Sequence, residues 1–182
     1  MKQYSIRWPL LLQVWCLLSL SAFAQREQDI NLANEYYNQG DIEKALTLYE
    51  ELARKPENIP LIHDNYFKLL INTGRTEMAT DYIDRLIKAF PGNLNYRIDK
   101  GMIYRERDDA EGEQAFFREL IESIAGDPFK VRIAAQHMSR NQMTEYALQT
   151  YQAGRAASGD PDLFAIQMAS IYRVLNQKDR MI

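Results

Sequence analysis

Catalysis by this chain would have to rest on very few side chains. There are two histidines, His63 and His137, and neither has a partner three or four residues away that would make a helical metal pair such as HExxH. The expected place for both is a helix surface or a groove wall. Cys16 is the only cysteine. No GxSxG and no glycine-rich phosphate loop is present. The adjacent acids Asp108 and Asp109 fall in a predicted turn, where acids cap helices rather than exchange protons with a substrate. These residue types point away from an enzyme and toward recognition, with no catalytic residue, metal or cofactor expected.

Recognition surfaces must be positioned by something, and the chain supplies a repeating support. Tyr49, Ile83, Phe117 and Tyr151 are each 34 residues apart. Ala45, Ala79 and Ala147 keep the same spacing, with Glu113 in the remaining slot. Ala33, Phe67, Gly101, Ala135 and Ala169 form a third column. A fixed period of this length signals one supersecondary unit stacked several times. The apolar residues recur at three- and four-residue steps and no segment alternates, so the units are helical. Nine helices are expected, over 26–39, 42–55, 60–73, 76–90, 93–107, 110–125, 128–141, 144–157 and 161–176. Gly40 and Gly74 fill equivalent turns, and Asp108 and Gln142 take the same slot later. Asp127-Pro128 and Asp160-Pro161 are written as helix starts, an N-cap acid before a proline at the first helical position.

The first 24 residues read as a signal peptide. Lys2 and Arg7 are followed by an apolar run from Trp8 to Leu20 and then by Ala22-Phe23-Ala24, so a cut is expected between Ala24 and Gln25. An uncut membrane anchor is the competing reading, but the run is shorter than the roughly 20 residues that span a bilayer. Lipid attachment at Cys16 is disfavoured by the bulky Trp15 before it. The protein is therefore expected to be exported, periplasmic or secreted, with no membrane span after cleavage. All 25 acidic residues but only 20 of the 22 basic ones lie after residue 24, so the processed chain carries −5 and no cysteine. It must be held by apolar packing without disulfides, and its acidity argues against nucleic acid as a partner.

The pattern resembles the tetratricopeptide repeat (TPR) family, here as an exported bacterial member. Tyr36, Gly40, Ala45, Tyr49, Leu52 and Pro56 carry the resemblance in the first unit, and the string from Tyr36 to Leu52 is close to the family signature. Gly74, Ala79, Leu86 and Pro91 carry it in the second unit, and Gly101, Tyr104, Phe117 and Leu120 in the third. The fourth keeps Ala135, Ala147 and Tyr151 but has Gly154 where the others have leucine, and the fifth is half present with Ala169 and Tyr172. The family's tryptophan is absent throughout. The resemblance implies an all-α fold: an α-solenoid of antiparallel helix pairs with about four and a half repeats. It sets one TPR domain over 25–182, with repeats over 26–59, 60–93, 94–127, 128–161 and a partial one over 162–182.

The resemblance also implies that the first helix of each pair lines a concave groove for a peptide or partner protein. Carried over in register, the groove columns are Asn34, Lys68, Met102, Gln136 and Ser170; Tyr37, Ile71, Arg105, Ser139 and Arg173; and Ile30, Asp64, Ile98, Arg132 and Ile166. The binding candidates among them are Asn34, Tyr37, Lys68, Arg105, Arg132, Gln136 and Arg173. The three arginines gather toward the C-terminal end, where they would favour acidic groups on a partner; the alternative is ordinary solvated charge. The family's carboxylate clamp is excluded. Asn34 and Asn65 match its asparagines, but Ile30, Asn95 and Asp99 stand where it needs cations. The expected function is a non-enzymatic protein–protein interaction scaffold in the cell envelope. The alternative is the N-terminal interaction region of a longer protein whose activity lies beyond residue 182.

Overall fold

The three- and four-residue steps do form helices, and the fold is all-α. A computed structural model describes the backbone from residues 8 to 178 and the side chains from 24 to 175. Residues 1–7, the start of the expected leader, lie outside the described residues. The helices are α1 (Trp8–Gln39), α2 (Ile42–Leu52), α3 (Ile59–Asn72), α4 (Thr76–Ala89), α5 (Leu94–Glu106), α6 (Ala110–Ile124), α7 (Pro128–Arg140), α8 (Thr144–Ser158) and α9 (Ala165–Lys178), with a 3₁₀ turn at Pro56–Asn58 before α3. No strand occurs among the described residues. Within each unit successive helices pack on one another, as in an α-solenoid of helix pairs.

The chain divides at the Thr73–Gly74 step into two compact units. The first holds α1 to α3, which all touch one another. Its interior is filled by Ala33, Ala45, Tyr49, Ile62 and Leu70, each fully buried. The second holds α4 to α9. Within it α5 packs on α6 and α7, α6 on α8, and α8 on α9. Its core runs from Ile98 and Phe117 through Val131, Ala135 and Met138 to Tyr151 and Phe164.

The turn slot behaves as its spacing demands. Gly40 and Gly74 have φ of 76° and 69°, and Asp108 and Gln142 are forced into the same left-handed region at 54° and 61°. The bonds that close the helices repeat with the slot. Asp41 N–H reaches the Tyr36 carbonyl at 2.9 Å, Asp109 that of Tyr104 at 3.0 Å, and Met143 that of Met138 at 2.9 Å. This six-to-one bond ends a helix on a left-handed residue. A side chain in that region costs about 1 kcal/mol that glycine does not pay. Asp108→Gly and Gln142→Gly should therefore each raise the thermal midpoint of the second unit, and unfolding followed by circular dichroism checks this. A fall for both would contradict the strain.

Two helix starts differ from expectation. α1 does not begin near residue 26 but runs unbroken from Trp8 across the expected cut, because Ala24, Gln25 and Arg26 all favour helix and nothing there interrupts one. α9 begins at Ala165 rather than at Pro161. Asp160 does accept from a backbone N–H, that of Asp162 at 2.9 Å, but this closes a turn and not a helix. Phe164 then takes a left-handed φ of 63° and turns its ring inward against Tyr151, with centroids 4.9 Å apart. The ring enters space left by Gly154, where a Cβ would lie 3.1 Å from Phe164 Cε2 and 2.8 Å from Val131 Cγ1. The missing leucine of the fourth unit is thus replaced in volume by an aromatic from the following turn. Asp127 behaves as expected and accepts from the N–H groups of Phe129 (3.0 Å) and Lys130 (3.2 Å) at the head of α7. Those bonds and the Lys130 charge hold its carboxyl below the usual carboxylate range.

Candidate functional site

In the first unit, two of the expected groove residues turn out to brace the helices. Asn34 on α1 is half-buried, and its Oδ1 accepts from the Tyr49 hydroxyl at 2.7 Å and from Asn65 Nδ2 at 2.9 Å. One amide oxygen therefore ties α1 to both α2 and α3. Burial pushes the Tyr49 hydroxyl up to about 12, against the lowering effect of its hydrogen bonding to Asn65, so it stays a donor at neutral pH. Tyr37 lies edge-on to the same ring, with centroids 6.5 Å apart at 67°. Lys68 on α3 is exposed, with Asp64 one turn before it and Leu61, 55% exposed, two turns before it. Leu61, Asp64 and Lys68 thus form one exposed stripe on α3.

In the second unit the three arginines part company. Arg105, at the end of α5, turns toward α6. Its Nε donates to Glu113 Oε1 at 3.1 Å, and its guanidinium forms an ion pair with that carboxylate. Glu113 stands in the alanine column and is nearly buried, so Arg105 compensates a charge that the repeat would not otherwise admit. The pair edges a cleft of about 590 Å³ between α6 and α8, with Arg118, Glu122, Tyr146 and Gln149. Burial pushes the Tyr146 hydroxyl up, and the Glu113 charge adds to this. Arg105 therefore spends its charge inside its own helix pair and is not a free groove cation.

Arg132 and Gln136 on α7 and Arg173 on α9 are exposed as expected. The Arg132 guanidinium lies 5.9 Å from the centroid of the Phe129 ring, one turn earlier on α7. That ring is 61% exposed, and Ile166 on α9, in the Arg132 column, is 80% exposed. An exposed aromatic ring beside an arginine is what binding surfaces concentrate. Of these, Phe129 and Leu61 were missed. The signal was present, because both fall in one 34-residue column with Asn95 and Leu163, and an apolar residue on an outward helix face is the trace of a contact surface.

Other groove expectations are corrected. Ile30, Ile71 and Ile98 are buried at 8%, 5% and 0% exposure, covered by the helix packing of their units. The histidines are also interior rather than surface residues. His63 stacks on Phe67 with centroids 5.8 Å apart. His137 on α7 places Nε2 2.7 Å from Asp99 Oδ1 on α5, both buried, with the Asn141 amide 3.1 Å from the same nitrogen. Shielded from solvent, this pair links α5 to α7. Asp99 and Ile30, two of the slots that a carboxylate clamp needs as cations, are thus internal.

Among the described residues, no three His, Cys, Asp or Glu side chains gather as a metal site would require. Among the same residues no helix is long and apolar enough to cross a membrane. No protein-family model matches the chain, and no curated protein matches it.

Proposed function

We propose that the protein is an exported, non-enzymatic TPR-type scaffold that binds a peptide or a segment of a partner protein on the outward faces of its first helices. The observation that carries this reading is the exposed Phe129 ring beside Arg132 on α7, with Ile166 exposed on α9 in the same unit. Two large apolar side chains held in water by α7 and α9 supply the buried-area term of an interface, and the guanidinium supplies the orienting charge. The matching ligand is a segment with apolar side chains next to an acidic one. Arg173 adds a further exposed cation, and Gln136 an amide able to pair with a peptide backbone. Export follows from the charged and apolar leader that ends at Ala24, and places the partner in the cell envelope or outside the cell.

The test is affinity capture from an envelope extract with the native chain and with Phe129→Ala/Arg132→Glu. Both residues are exposed, so the double variant should keep its helix content and thermal midpoint. Loss of a specific partner on the double variant, with folding unchanged, is the expected result. An identical captured set for both proteins would remove the basis for this surface.

A further inference from the structure

α7 packs on α5, α6 and α8, and those contacts leave one continuous stripe of it open. Phe129, Arg132, Gln136 and Arg140 follow at steps of three and four residues, so they share a face, and all four are exposed. From first to last the stripe runs about 16 Å along the helix axis, at about 1.5 Å per residue. Its charge is of one sign. The helix, PFKVRIAAQHMSR, contains no acid, in a chain whose formal charge is −3. Asp127, just before it, spends its carboxylate on the N–H groups of Phe129 and Lys130 and on the Lys130 ammonium at 3.3 Å. The corresponding stripe on α3 differs. There Leu61 is followed by Asp64 and Lys68, opposite charges one turn apart.

Resting on the reading that this surface binds a partner, we infer that the occupant is an acidic helix of that partner, laid along α7. It sets an apolar side chain on the Phe129 ring and acids opposite Arg132 and Arg140. Those two cations are eight residues apart, about 12 Å, so acids about two turns apart on the partner helix meet both. Opposed faces of single and opposite sign fix both the choice of partner and its register. An extended peptide fits less well. Its backbone N–H and C=O groups would lie against a helix whose own are already paired, with the Gln136 amide alone to receive them. A helix satisfies its own backbone and brings only side chains to the contact, anchored at steps of three and four residues.

A photo-crosslinker at the exposed position between the two arginines, Gln136→p-benzoylphenylalanine, tests this in an envelope extract. Sequencing of the linked peptide is expected to give a segment with acids about two helical turns apart. A synthetic peptide of that segment should bind the purified protein. Arg140→Glu should weaken this binding by about tenfold or more at low salt, and by less as salt rises, with helix content unchanged because the position is exposed. Proline at the centre of the peptide, which breaks a helix, should abolish binding. An adduct with a segment lacking such acids, with lipid or with a second copy of this chain would overturn the inference. So would equal binding by the proline peptide or by Arg140→Glu, or no adduct at all. The scaffold reading survives those failures if Phe129→Ala/Arg132→Glu still loses a captured partner, and falls with them if the captured sets are identical.

Discussion

Replacing Gly101 with alanine is expected to lower the stability of the 74–182 unit by about 1–3 kcal/mol, the usual cost of overpacking a filled core. Helix propensity alone predicts the reverse, since alanine is favoured over glycine by roughly 1 kcal/mol in a helix interior. The close approach decides the sign. The added methyl would sit 2.3 Å from Phe117 Cζ and 2.7 Å from Cε2, and the ring has nowhere to go. Phe117 is fully buried, with Phe116 edge-on at 5.6 Å and Tyr146 tilted at 4.2 Å. Urea unfolding of Gly101→Ala should show an earlier midpoint with an unchanged slope. Adding Phe117→Leu should recover part of the loss relative to Phe117→Leu alone, a coupling that only direct contact produces. A later midpoint for Gly101→Ala would mean that α5 and α6 do not meet here.

The second large effect is an asymmetry at the Arg105–Glu113 pair. Arg105→Met should cost about 1–2 kcal/mol, because it leaves a carboxylate with little access to water and without its cation. The figure lies below that for a fully buried pair because the Arg105 side chain is 43% exposed and water screens part of the charge. Glu113→Ala restores the residue that the column holds elsewhere and should be neutral or stabilising. Combining the two should recover the stability lost in Arg105→Met. Equal losses from both single variants would show instead that the pair is a net stabiliser, and thermal unfolding of the three proteins separates the cases.

The contrast between these two sites also marks what the residue order made legible. The 34-residue columns set Gly101 in line with Ala33 and Ala135, and Asp108 and Gln142 in the turn slot of Gly40 and Gly74, and the structure gives those positions a close approach and a left-handed backbone. They flagged Glu113 as an exception without saying what would neutralise it. Its cation comes from a residue whose column pointed outward, and a column fixes a position on a helix but not the reach of a long side chain. The same limit explains Ile30 and Ile98. Their column also holds Asp64, Arg132 and Ile166, all exposed, so the column fixes a position on a helix but not what lies against it. The His137–Asp99 pair was hidden because its spacing is one period plus one helical turn, so no single column contains it. The late start of α9 was hidden for another reason. Asp160-Pro161 satisfies the local rule for a helix start, but the volume vacated at Gly154 lies in the preceding helix, and filling it with Phe164 outweighs the local preference.

That plug also governs how α9 comes loose. A phenylalanine held at φ 63° is strained backbone that survives only while its ring stays packed. α9 has few other anchors, since Met168 and Ile171 are buried while Ala165, Ala169 and Tyr172 face solvent. Withdrawal of the Phe164 ring would therefore release the backbone strain and the helix in one event, making α9 a cooperative opening unit at the low end of the free-energy ladder. Its amides would exchange with solvent well before those of α7. Any contact that covers α9 acts first by raising this opening free energy, so part of its binding energy goes to ordering and its affinity reads lower than its buried area implies.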